Sequence, residues 1–138
     1  MADLAISIVG QLLATTGVTN IIATNLYPDY DKQANKVYPL AVYKIENVTS
    51  LTVNSGVNGS QSADFIVAAI GATYSDASAV AIAMQTALDG VSGVWSGVTV
   101  QGIFLKEDGI SDDVITEPQT EEILYYVKEL TFEVKYNY

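Results

Sequence analysis

From Ile123 to Asn137 the chain alternates, and that alternation constrains the fold more than any other stretch. Leu124, Tyr126, Leu130, Phe132, Val134 and Tyr136 fall on one parity, and Glu129, Thr131, Glu133, Lys135 and Asn137 on the other. Successive strand side chains point to opposite faces, so this period of two predicts a long strand with one face in a core. The other face is wet or meets a partner. A strand of this kind needs neighbours, and the rest of the chain supplies them.

Residues 40–46 (LAVYKIE) read as a strand. Residues 61–70 (QSADFIVAAI) are apolar on both parities after Asp64, which predicts a central strand covered on both faces. Between them lies a Ser-, Thr-, Asn- and Gly-rich stretch, about 47–60, which predicts a hairpin with a flexible tip holding Asn54, Gly56, Asn58 and Gly59. Residues 98–106 (VTVQGIFLK) read as another main strand, with Gly102 as a bulge.

Two helices complete the set. Over residues 3–15, Leu4, Ile8 and Leu12 recur at helical spacing, with Asp3 as N-cap and Gly17 as stop. Val80, Ala83, Met84, Ala87 and Leu88 form one stripe of a second helix, capped by Ser75 or Asp76 and ended by Asp89-Gly90. Trp95, in the connector 90–97, reads as a lid on the core. The order is α-β-β-α-β-β. It predicts an α+β fold, an antiparallel sheet packed with two helices. The 138 residues fit a single domain over 1–138.

Composition bears on function. The chain contains no His, Cys or Arg. That removes the side chain suited to proton transfer near neutrality, the readiest nucleophile and the usual phosphate fork. Triads and dyads built on His or Cys are impossible, and no lysine follows a serine by three residues. Neither a phosphate-cradling P-loop nor a G-x-G-x-x-G run is present. Sixteen acids leave a paired-carboxylate hydrolase open, but nothing selects any two. The expectation is a protein that is not an enzyme, holds no cofactor and works through shape and assembly.

The net charge of −10 with six scattered lysines argues against binding nucleic acid. The acids are concentrated. Glu107, Asp108, Asp112, Asp113, Glu117, Glu121 and Glu122 lie together with no base among them, which predicts a solvated, self-repelling loop over about 107–122. A second reading is a calcium site using Asp108, Asp112 and Asp113 around Gly109, although the spacing is not that of an EF-hand. A third is a negative lining around something that must not stick.

The N-terminus lacks a basic flank, and the apolar run Leu4–Val9 is far too short to span a membrane, so a cytosolic product is expected. The two N-x-[ST] sequons, at Asn47 and Asn58, then carry no sugar. Nine tyrosines against one Trp and three Phe suit either interfaces or ordinary strands.

The order of motifs resembles a known family. A helix leads through Gly17-Val18 to a Tyr-Pro loop, and Tyr38-Pro39-Leu40-Ala41-Val42-Tyr43 enters a strand. Ala63-Asp64-Phe65-Ile66-Val67 follows, then Ser75 to Gly90 ending Ala87-Leu88-Asp89-Gly90. Leu130-Thr131-Phe132-Glu133-Val134-Lys135-Tyr136 closes the chain. In this order and spacing the chain resembles the tail-completion (tail-terminator, head-tail joining) proteins of long-tailed bacteriophages. The acidic stretch stands where that family often carries Arg and His.

The resemblance implies a virion protein of the tail or neck, assembled in the host cytoplasm. It would form a homohexameric ring that caps the tail tube and meets a neck or connector protein. DNA would pass through the ring without specific binding and without any membrane. Six copies at −10 each would carry −60. Interface and lumen candidates are Tyr27 and Tyr30 in the loop 25–38, Asn54, Gly56 and Asn58 in the hairpin tip, and Glu107, Asp108, Asp112 and Asp113 in the acidic stretch. A neck or connector subunit is the alternative within virion proteins, and a calcium-dependent binding module is the alternative from another class.

Overall fold

A computed structural model describes residues 4–22, 26–28, 40–52, 58–95, 97–116 and 123–137. The elements run α1 (Leu4–Leu13), α2 (Thr16–Ile22), β1 (Leu26–Pro28), β2 (Leu40–Thr52), β3 (Asn58–Gly71), α3 (Tyr74–Leu88), β4 (Gly93–Trp95), β5 (Val98–Thr116) and β6 (Ile123–Asn137). The strands form one six-stranded sheet in the order β1-β2-β3-β6-β5-β4. All neighbours are antiparallel except β1, which runs parallel to β2. The α+β class is as expected. The four long strands with α1 and α3 reproduce the expected order, and α2, β1 and β4 are added to it.

The alternation at the C-terminus is realised. Leu130, Phe132, Val134 and Tyr136 are buried, while Lys135 between them is exposed. Their face carries the core. Ala63, Phe65, Val67 and Ala69 of β3 join it, as do Val98, Val100 and Ile103 of β5. The helices close it with Leu4, Ile8 and Leu12 from α1, Val18 and Ile22 from α2, and Val80, Ala81, Met84 and Leu88 from α3. The result is two layers, a sheet and one sheath of helices. On β3 the opposite parity is also largely shielded, with Asp64 and Ile66 buried. Trp95 packs against the core edge. The bulge at Gly102 is present, where the β5–β6 register shifts between Val100 and Gly102.

Three local expectations are corrected. Gly17 does not stop a helix, and Gly17-Val18 is not a turn, because both lie inside α2. The break comes at Thr15, whose hydroxyl donates to the Gln11 carbonyl at 2.8 Å and whose own carbonyl accepts from Val18 at 3.0 Å. The chain turns by 83° there and resumes as helix, because Val18 and Ile22, four apart, both reach the core. Burial of that pair outweighs the poor helix propensity of Gly.

The cap of α3 is Thr73, in place of Ser75 or Asp76. Its extended backbone (φ −124°, ψ 158°) lets its hydroxyl accept from the Asp76 N–H at 3.1 Å. The far end is as expected, with Asp89 as C-cap and Gly90 in the left-handed region at φ 77°.

The third correction concerns the acidic stretch. It is not a loop from Glu107 onward, since β5 continues to Thr116 and pairs with β6. Residues 117–122 lie outside the described residues, as does the expected cap Asp3.

Among the described residues no single helix is long and apolar enough to cross a membrane. α1 and α2 reach the length only as a bent pair, and Leu4, Ile8, Leu12, Val18 and Ile22 point into the core.

Candidate assembly surfaces

Two hairpins extend beyond the common body of the sheet, at opposite ends. β3 pairs with β6 from Gln61–Tyr136 to Gly71–Tyr126. Past the first pair, β3 continues outward to Asn58, opposite Thr52 of β2. Past the last pair, β6 continues to Ile123, opposite Thr116 of β5. The first hairpin carries the Asn- and Gly-rich tip. The second carries the acids.

The candidate residues fall unevenly on this frame. Tyr27 sits in β1 opposite Val42, and Asn58 opens β3. Tyr30, Asn54 and Gly56 lie outside the described residues. Glu107 and Asp112 are exposed. Asp108 and Asp113 belong to β5, Asp113 opposite Val127. Asp112 has a basic neighbour on the next strand. Lys128 stands opposite Asp112, with Nζ 3.8 Å from its carboxylate and 5.8 Å from the ring centre of Tyr74. Tyr126 meets Tyr74 edge-on, with ring centres 6.1 Å apart. Among the described residues no three acidic side chains gather in a way that could hold a metal ion.

Among the residues whose burial is described, the most buried acid is not one of the candidates. Asp64 lies on the sheet face away from the helices, next to Glu46 of β2 and Glu133 of β6 in register. One of its oxygens, Oδ2, accepts from Asn47 Nδ2 at 2.8 Å and from Lys106 Nζ at 2.9 Å. Burial pushes the Asp64 carboxyl up. Hydrogen bonds from Asn47 and Lys106, with the Lys106 charge, outweigh that and hold it below its ordinary 3.8. The flanking acids have lysines on their own strands, Lys44 at 3.4 Å from Glu46 and Lys135 at 4.0 Å from Glu133. A signal was present in the sequence. Asp64 opens the apolar run Phe65–Ile70, and Lys106 is the base that immediately precedes the acids.

Charge is partitioned between the layers. α1 and α2 contain no charged residue and α3 only Asp76. Ile6 of α1 and Ile82 of α3 are nevertheless exposed. The helical layer is thus close to neutral on a chain of net −10. The central cores of protein interfaces are likewise depleted of charge. Among the described residues, Asp112 and Asp113 stand on the outgoing part of the β5–β6 hairpin, opposite Lys128 and Val127.

No protein-family profile matches the chain, and no curated protein does. Solved structures do. A chain in the virion of a native gene transfer agent (GTA) particle superposes with a TM-score of 0.76 and 18% identity. The match covers 96% of this chain and 93% of that one. At this identity the likeness establishes a shared fold over essentially the whole of both chains.

Proposed function

We propose that this protein is a structural component of a phage-like virion, acting as a tail terminator. The carrying observation is the full-length likeness to a chain of the gene transfer agent virion, which leaves almost nothing of either chain unmatched. The motif order of the sequence agrees with it. So does a chain without His, Cys or Arg.

In this reading six copies form a ring that caps the tail tube, ends its polymerisation and joins it to the neck. The nearly neutral helical layer and the Asn- and Gly-rich hairpin supply contacts to neighbouring subunits and tube. The acidic β5–β6 hairpin lies at the lumen or a ring edge. A negative lining there repels DNA phosphates and lets the duplex slide. Placing an adjacent neck subunit at the same position would use the same surfaces, and the test separates the two.

The experiment is electron microscopy of tails assembled with and without this protein. A terminator predicts tubes of unregulated length in its absence and a ring on the tube end in its presence. Tubes of normal length that fail to join heads would assign the neck instead. Removing residues 54–59 should leave a folded protein that no longer caps tubes.

A further inference from the structure

Two long-range irregularities in the sheet meet at a single oxygen atom. In β2 the register moves from Glu46, opposite Asp64, to Thr49, opposite Ser62. That is three steps on β2 against two on β3, a bulge of one residue. Asn47 sits in it with φ 55°, the left-handed conformation that Asn adopts more readily than most residues. In β5 the register moves from Leu105, opposite Phe132, to Ile110, opposite Leu130. That is five steps against two, and Lys106 begins the excursion. From these two bulges the hairpins run to opposite ends of the sheet. Asn47 and Lys106 both donate to Oδ2 of Asp64, although 59 positions of sequence separate them.

We propose that Asp64 couples the two hairpins, so that a partner engaging one end of the sheet alters the other. The physical basis is the shared acceptor. Asp64 is nearly buried and needs both donors to satisfy its charge. If one donor is drawn away, the buried carboxylate loses part of its compensation, and the bulge holding the other donor loosens. The two bulges therefore share one set of interactions, whatever the molecule that engages either hairpin. This holds independently of the virion reading, because it concerns the isolated chain.

The test is amide hydrogen exchange on the full-length protein, comparing wild type with Lys106→Met. Coupling between sites generally amounts to about 5-fold or more, so protection at 46–50, on the other hairpin, should fall by at least about 5-fold. Amides of Val67 and Ala69, on β3 away from both bulges, serve as reference and should be unchanged. The reciprocal variant, Asn47→Gly, keeps the left-handed backbone accessible and should loosen 106–112. It also serves if Lys106→Met does not fold. Changes confined to the mutated hairpin, or a uniform change across the chain, overturn the proposal.

Discussion

Gly109 lies against the main chain of Thr131 so closely that a Cβ at position 109 would stand 2.6 Å from the Thr131 carbonyl oxygen. The Lys106 carbonyl would be only 3.0 Å away on the same side. Both obstacles are backbone, which gives little, so the β5 excursion can fold back onto β6 only with glycine here. Gly109→Ala should destabilise the protein by about 1–3 kcal/mol. Gly10, in the exposed part of α1, has nothing within 4 Å of its Cβ position. Gly10→Ala should stabilise by up to about 1 kcal/mol, the ordinary helix-propensity difference. Opposite shifts in the thermal midpoint would check both.

Thr73 and Ser75 separate a cap from a bystander. Thr73→Ala removes the acceptor for the Asp76 N–H and should cost about 1 kcal/mol. Ser75 is exposed within the first turn of α3, and Ser75→Ala should change urea-unfolding stability by no more than about 0.5 kcal/mol. Equal effects at the two positions would contradict the assigned cap.

Acid should act through Asp64. Its pKa is depressed in the folded state, so the charged form stabilises the fold. That stabilisation is complete above the ordinary pKa of 3.8 and is lost as pH falls through the lower folded value. Asp64→Asn lacks the titrating group. The stability gap between wild type and Asp64→Asn should therefore stay level from pH 7 to about 5 and narrow below about 4. Denaturant titrations across that range measure it, and a gap that widens in acid would contradict the assigned sign.

Asp112 and Asp113 should matter for passage and little for folding. Asp112 is more than half exposed and its contact with Lys128 is long, at 3.8 Å. Surface pairs of this kind contribute about 0–1 kcal/mol. The double variant Asp112→Asn, Asp113→Asn should thus melt within a few degrees of wild type. In an infection or transfer assay it should impair DNA delivery through tails of normal length. Unimpaired delivery would remove the hairpin from the lumen.

Much of the fold was legible because it is written in local periodicity. The strand ending at Asn137, the end of β3 at Gly71 and the end of α3 at Asp89-Gly90 all depend on neighbours within a few residues. The misread positions share a different cause. Seven acids without a base look like a loop that repels itself, yet residues 110–116 pair with β6, where Lys128 faces Asp112. Gly17 looked like a stop until burial of Val18 and Ile22 continued the helix past it.

The fold class, the core face of the last strand and the lack of the usual catalytic side chains can be read from the residues alone. These follow from residue types and from spacings of two and three to four. The convergence of Asn47, Asp64 and Lys106, and the departure of the Asn-rich and acidic hairpins from opposite ends of one sheet, emerge only from the folded arrangement. The reason is physical. Register and bulges are set by pairing between strands distant in sequence, and a shift of one residue changes which side chains meet.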